Sequence, residues 1–428
     1  MPNKILIIGM GPVGLATAIG FANVGYSLSC YDINKEKIAM LKKGKAPFFE
    51  HDLQHCIDIY RDNIFFTSNL AEAFKDTNIF FICVGTPLGE NNSVDMVAFR
   101  NAIEAIVNNV KYDSTIVIKS TVPIGTNKKV VQYIKSLRLS FKINVVSNPE
   151  FLSQGTAIKD TIQASRIIIG YNEPESRDLM LDIYKHFDVE KIATTPESAE
   201  LIKYESNCYL AMRISFVNDL AYACDLVGAD LISVLKGVSL DSRIGNYYFS
   251  PGLGYGGSCF PKDTICFHHQ LQSEYGYELE LIEATIDINQ RQPLRLCRKI
   301  IQNYGSILNR NISVLGLAFK KDTDDVRDSL ALAVVSYLID NGAKVTVWDP
   351  VANTKAKEIF KNAVTYAKTL EDAVNQSDII FIATDWDEIV NIQLSSFIGK
   401  DVYDGRNCFL KRREEIKFNY YYVGGVIQ

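Results

Sequence analysis

The chain has 428 residues, 47% hydrophobic and 22% charged, which fits a soluble globular protein of two or three domains, each able to bury a core. Its 45 basic and 50 acidic side chains leave a formal net charge of −5, too mild and of the wrong sign to argue for nucleic acid or an anionic membrane surface. The opening "MPNKILIIG" lacks the parts of a secretory leader, no apolar run approaches the roughly 18 residues of a membrane span, and the nine cysteines form no C-x-x-C pair, so a cytoplasmic chain with reduced thiols is expected.

The stretch "KILIIGMGPVGLATAIGFANVGYSLSCYD" predicts strand, glycine turn, helix, strand. Gly9, Gly11 and Gly14 spell G-x-G-x-x-G: the first permits the turn, the second lets backbone approach a pyrophosphate, and the third lets the helix pack on the strand. Asp32 ends the next strand, at the spacing of a carboxylate that binds an adenosine ribose and repels a 2′-phosphate, so NAD is favoured over NADP. Further strands are predicted at 78–87, 114–123, 143–151 and 166–171. "VGTP", "STVP" and "SNPEF" stand at strand ends, which puts Thr86, Ser120, Thr121 and Glu150 on one crevice. Pro87, Pro123 and Pro149 would by themselves also explain why those strands stop.

One long helix is predicted next, with Thr195 as N-cap, Pro196 first and Gly228 at the stop. Apolar residues recur on more than one of its faces, so it should be buried. Lys203 and Asn207 lie one turn apart on it; buried, both need polar partners, and exposed they would be a solvated lysine and a back-bonding asparagine. Cys30 and Cys83 lie in strand-like runs and Cys208 and Cys224 in the helix, all four reading as core. His51 and His55 could share a helix face and His268 and His269 are adjacent, but neither pair has metal-site neighbours, so no metal is expected.

Helix continues over roughly 262–304, and then the pattern restarts. "NISVLGLAFKKDTDDVRDSLALAVVSYLIDNGAKVTVWDP" again reads strand, loop, helix, strand and ends in Asp349, and 377–386 echoes 77–86. This is a diverged duplication without the glycine fingerprint. Its loop carries Lys320, Lys321 and Arg327, suited to a charged ligand or, with Asp322, Asp324 and Asp325 among them, to a solvated charge run. The expected fold is α/β: two Rossmann-like doubly wound parallel-sheet domains joined by a long central helix. The expected boundaries are 1–196 for NAD binding, 197–304 for a central helical region, and 305–428 for the second Rossmann-like domain.

"GYGGSCFPKD" (254–263) sets Cys259 behind a run of glycines. An alcohol gives up a hydride to NAD without a thiol, but an aldehyde must first become a tetrahedral adduct. A thiolate provides one as a thiohemiacetal, whose oxidation leaves a thioester that water cleaves to an acid. Lys262 or Lys203 could lower the thiol pKa or stabilise an oxyanion, and Asp263 could order water. A loop cysteine without chemistry is the alternative.

"GMGPVG", "STVPIG", "SNPEFL", "LIKYESN", "DSRIGNYYFSPGLGYGGSCFPKD", "GLAFKKDTDDVRDS" and "YDGRN", in this order and over almost the whole chain, resemble the UDP-glucose/GDP-mannose dehydrogenase family. The resemblance implies oxidation of a sugar C6 alcohol to a carboxylate with two NAD per turnover. It implies Cys259 as nucleophile, Lys203 and Asn207 as oxyanion stabilisers, and Asp263, Thr121 and Glu150 in proton transfer. The cofactor contacts it implies are the turn Gly9, Met10, Gly11, Pro12, Val13 and Gly14, then Asp32, Lys37, Val84, Thr86, Pro87, Ser120, Thr121 and Arg327. For the nucleotide sugar it implies Glu150, Phe151, Leu152, Gln154, Lys203, Asn207, Ser250, Leu253, Gly254, Tyr255, Gly256, Phe319, Lys320 and Arg406. Arg243 resembles an arginine that reaches the substrate of a neighbouring subunit, implying a homodimer or larger assembly. Many relatives carry glutamate at Gln154, where an amide cannot act as a base, leaving that role to Glu150. "GGSCFPKD" resembles UDP-glucose enzymes more than those for UDP-N-acetylhexosamines, which tend to have histidine before the cysteine; GDP-mannose stays an alternative.

Overall fold

A computed structural model describes residues 4–427, which divide into two units, one up to Ser206 and one from Asn207 onward. The first is an eight-stranded sheet with strands β1 (Ile5–Ile8), β2 (Leu28–Tyr31), β3 (Ile64–Thr67), β4 (Ile79–Ile82), β5 (Ser114–Ile118), β6 (Ile143–Ser147), β7 (Ile167–Gly170) and β8 (Lys191–Thr194). Their order is β3-β2-β1-β4-β5-β6-β7-β8. Neighbours run parallel except β6 and β7, which meet antiparallel through Ser147 and Gly170. β1 and β4 are buried along their whole length because helices cover both faces of the sheet, which is why these strands read as unbroken apolar runs. The strand order reverses between β1 and β4, so a crevice opens at their carboxyl ends.

A helix of 32 residues, Pro196–Val227, carries the chain from one unit into the other. The hydroxyl of Thr195 caps it, accepting from the Ser198 amide at 3.2 Å, and Gly228 ends it in the left-handed region at φ +71°. The helix is not covered all round as expected: Tyr209, Phe216, Tyr222 and Leu226 are exposed. The helical stretch after it is three helices, Phe260–Tyr275, Glu280–Arg291 and Pro293–Tyr304. Gly276, left-handed, stops the first, and Pro293 starts the third.

The second sheet contains β9 (Asn311–Leu315), β10 (Lys344–Trp348), β11 (Thr365–Tyr366), β12 (Ile379–Ile382), β13 (Asp401–Asp404), β14 (Asn419–Tyr422) and β15 (Gly425–Ile427), ordered β11-β10-β9-β12-β13-β14-β15. Only β15 is antiparallel, a hairpin on β14. Its β10-β9-β12 core repeats β2-β1-β4, so the two Rossmann-like sheets and long helix expected from the sequence are present. Cys30, Cys83, Cys208 and Cys224 are buried. His51 precedes the helix Leu53–Tyr60 rather than sharing a face of it with His55, and pairs with Asp52 at 2.9 Å. Among the described residues no helix is long and apolar enough to cross a membrane, and no three potential metal ligands cluster.

Candidate active site

In the first unit the glycine turn leaves β1 and enters the helix Pro12–Asn23. Gly9 has φ +97°, and a Cβ on Gly14 would lie 1.8 Å from the Gly9 carbonyl oxygen, so helix and turn touch only because that residue is glycine. Around Gly11 the space is open, with nothing within 4 Å of where its Cβ would be. Gly11 is also the N-cap, so no side chain occupies the first-turn amides. Asp32 receives the Met10 amide at 2.8 Å and the Lys37 ammonium at 3.3 Å. Bare amides, an open backbone face and a buried carboxylate at the end of β2 fit a dinucleotide with an unphosphorylated ribose. The Thr86 hydroxyl donates to the Thr121 carbonyl at 2.7 Å and that of Ser120 to Val84 at 2.7 Å, tying the ends of β4 and β5 together.

The end of β6 adds the acid. Glu150 is buried and meets Lys203 at 3.0 Å, while its other oxygen accepts the Leu152 amide at 2.6 Å. Phe151 stands under the Arg166 guanidinium, 3.9 Å from its ring centre. Lys119, one residue before Ser120, was not expected here. It donates to both oxygens of Asn148, at 3.3 and 3.4 Å. Burial pushes its ammonium below the ordinary lysine value, against Cys83 and Glu150, which raise it.

In the second unit Cys259 is exposed at the N-cap of the helix Phe260–Tyr275. The next turn is a locked cluster. Asp263, 1% exposed, accepts from the Asn207 carboxamide at 2.6 Å and is in contact with the Lys262 ammonium. Lys262 is thus held on Asp263 one turn into the helix. Arg327 is a cation that senses Cys259: a fork onto Asp325 holds its charged form most strongly, and Cys259 is among the further groups that favour it. Of the interspersed aspartates, Asp324 pairs with Lys355 and Asp325 with Arg327, while Lys321 of the same loop pairs with Asp387.

The glycine loop before Cys259 is held at both its polar edges. Asn289 accepts the Tyr255 amide at 2.7 Å and donates to its carbonyl at 2.9 Å. Asn218 accepts the Gly252 amide at 2.7 Å, and Gln292 donates to the Gly252 carbonyl at 2.8 Å. None of the three amides was picked out from the sequence; the available signal was a polar Asn289 among buried positions of an amphipathic helix. The loop lies so close to the β9 turn that a Cβ on Gly256 would fall 2.4 Å from the Asp328 carbonyl oxygen, and one on Gly257 would meet the Phe319 ring at 2.7 Å. Arg406 donates to the carbonyls of Phe319 at 2.9 Å and Ala383 at 2.8 Å. Leu253, Gly254, Tyr255, Gly256, Phe319 and Arg406 therefore gather at the carboxyl ends of β9, β12 and β13, with Ser250 and Lys320 on the adjoining segments. Arg243 is apart from them, its side chain 87% exposed and forked onto Asp241.

Three family models match in chain order: the UDP-glucose/GDP-mannose dehydrogenase NAD binding domain over residues 3–188, its central domain over 197–291 and its UDP binding domain over 313–411. A UDP-glucose 6-dehydrogenase of Bacillus subtilis is 38% identical over 99% of this chain and 93% of its own length. One from Rhizobium meliloti is 38% identical over 90% of each. The structure of a UDP-glucose dehydrogenase from Pyrobaculum islandicum superposes with a TM-score of 0.93 at 34% identity, over 99% of this chain and 98% of that one. That of a UDP-D-ManNAc dehydrogenase from Pyrococcus horikoshii gives 0.87 at 26% identity, over 98% and 99%.

Proposed function

The chain belongs to the UDP-glucose/GDP-mannose dehydrogenase family of NAD-dependent oxidoreductases, and on that premise we propose that it oxidises the C6 alcohol of UDP-glucose to the carboxylate of UDP-glucuronate, both steps at one cysteine. Bound NAD supplies the hydride acceptor, two molecules per sugar. The turn Gly9–Gly14 and Asp32 would hold its diphosphate and ribose, with Val84, Thr86, Pro87, Ser120 and Thr121 lining the crevice. The observation that carries the reading is Cys259 at a helix N-cap, in a glycine loop braced from both edges and within the field of Arg327.

The alcohol needs a base and an oxyanion partner. Glu150 takes the first role and Lys203 the second, a reading supported by their 3.0 Å ion pair, which keeps the carboxylate ionised and the ammonium charged. Cys259 Sγ then adds to the C6 aldehyde as a thiohemiacetal, and once oxidised the same sulfur carries the acyl group as a thioester. The Asn207 carboxamide stabilises the oxyanion of each tetrahedral species. Asp263 orients it, because its two oxygens are taken by Asn207 and Lys262. Water attacks the thioester and passes its proton to a carboxylate, Thr121 helping to order it. Leu253 to Gly256, Phe319, Lys320 and Arg406 of the second unit are the proposed contacts for the UDP-sugar, and Phe151 and Leu152 of the first are proposed as further ones. The assembly is at least a homodimer, supported by the aromatic face left bare on the long helix and by exposed Arg243.

NADH formation with a small panel of UDP- and GDP-sugars tests the reading. Two NADH per UDP-glucose support it. Two NADH per UDP-N-acetylhexosamine or GDP-mannose instead would move the substrate, one NADH with an aldehyde product would remove the thioester step, and none with any sugar would leave a binding protein.

A further inference from the structure

Glu200 is a buried acid without a task in the proposed chemistry. It lies one turn before Lys203 on the long helix and is 4% exposed. One carboxylate oxygen accepts the Gly125 amide at 2.6 Å; the other accepts the Asn127 amide at 2.9 Å and the Ser147 hydroxyl at 3.3 Å. Gly125 is the N-cap of the helix Thr126–Ser136 and has no side chain to cap it, so the carboxylate of a distant helix does so. Gly125 also closes the loop that leaves β5 through Ser120 and Thr121, and Ser147 ends β6, three residues before Glu150. Glu200, Ser120, Thr121, Ser147 and Lys203 line one small cavity.

We propose that Glu200 is a positioning residue for the cofactor: while ionised it fixes the Ser120–Gly125 loop, and so Ser120 and Thr121, in register with the helix that carries Lys203. The proposal rests on the reading of Ser120 and Thr121 as NAD contacts. It does not depend on which sugar is oxidised.

The carboxylate can take up a proton, and so lose charge as an acceptor, near neutral pH. Burial pushes Glu200 up to about 7, with Glu197 adding to the rise, while the two amides and Ser147 hold it down. The groups around it are few. Its own helix presents Glu197 and Lys203, the helix Thr126–Ser136 presents backbone amides while Lys128 and Lys129 are exposed, and β6 presents Ser147. Protonation turns one oxygen into a hydroxyl, and the amide it served loses a charged acceptor. The clamp is therefore strong above that pH and loosened below it.

The test is NADH binding to the whole protein, followed by nicotinamide fluorescence from well below to well above that pH. The wild-type chain should lose about tenfold in NADH affinity on the acid side, the size of one charged hydrogen bond. Glu200→Gln, whose amide nitrogen cannot accept, should bind weakly at every pH, with the titration gone and the KM for the nucleotide sugar within about twofold of wild type. A role in stability alone would lower Tm in the variant and leave its pH profile parallel to wild type, which would overturn the proposal. So would a wild-type affinity that stays flat with pH, a result that needs no variant to fold. Because binding rather than turnover is read, a protein inactive on UDP-glucose can still pass, and one active on it can still fail.

Discussion

Cys259 has no unusual chemistry of its own; the helix start, the field of Arg327 and the braced loop make it a candidate nucleophile. Cys259→Ser keeps those surroundings and exchanges only the atom that can capture an aldehyde and leave as a good leaving group. Binding of NADH and UDP-sugar should persist in calorimetry, while steady acid formation falls by at least about a thousandfold. Full turnover in the variant would end the covalent account. Asn289 is a second case, since both its amide atoms serve Tyr255. Asn289→Leu leaves a buried amide and a buried carbonyl without partners, at about 1–3 kcal/mol each. Thermal denaturation should show that loss, and the KM for the sugar should rise while the KM for NAD holds; equal changes in both would remove the loop-bracing role. Of these two residues only the cysteine was legible. Its signal is local, glycines on one side and Pro-Lys-Asp on the other, whereas Asn289 meets a residue 34 positions away. Glu200 was silent for the same reason, its partners being 53 to 75 positions off. A sequence displays a residue's type and its near neighbours, but not the distant backbone group it will serve.

Two strand-to-helix turns, copies of one element, differ in what they can hold. After β1 the turn is open at Gly11 and closed at Gly14, and these two glycines separate binding from folding. Gly11→Ala meets no atom and should leave Tm unchanged while weakening NADH affinity, since its methyl group projects where the diphosphate approaches. Gly14→Ala must push the helix off the turn and should lower Tm as well, at about 1–3 kcal/mol. If both variants lose stability equally, the open face at Gly11 is not a ligand face. After β9 the corresponding carboxylate, Asp349, accepts the amides of Leu317 and Ala318 and the indole of Trp386, at 2.7, 3.0 and 3.0 Å. It is spent inside the turn and cannot face a ribose. The missing fingerprint in the second copy was legible; the Trp386 bond that fills its place was not. Interior strands such as β4 and β12 were legible because both their faces are buried. Edge strand β8 was not, because its partly exposed Lys-Ile-Ala-Thr carries no continuous apolar run, and the short apolar run of β3 was not picked out.

At the scale of the molecule, the duplicated sheets account for their own cores, and the long helix is the element left incomplete. Its sequence is apolar on more than one face, a pattern that belongs to a helix covered all round. In the single chain Tyr209 is 54%, Phe216 59% and Tyr222 44% exposed. Tyr209 and Phe216 are two turns apart on one face, and a stripe of large aromatic side chains there is too apolar for a free surface. A second copy of the same helix is the cover proposed here, because a two-fold axis across this stripe would let it bury itself against its equal. Phe216→Asp places a charge on this face and should convert the protein to a monomer in sedimentation velocity. The sugar KM should rise with the loss of the partner, since Arg243, exposed in the chain alone, would have no neighbouring site to reach. NADH affinity should stay near wild type, because the glycine turn and Glu200 lie wholly within the first unit. A wild-type protein that already sediments as a monomer, or a Phe216→Asp chain that stays dimeric, would show that this face is not what pairs two copies.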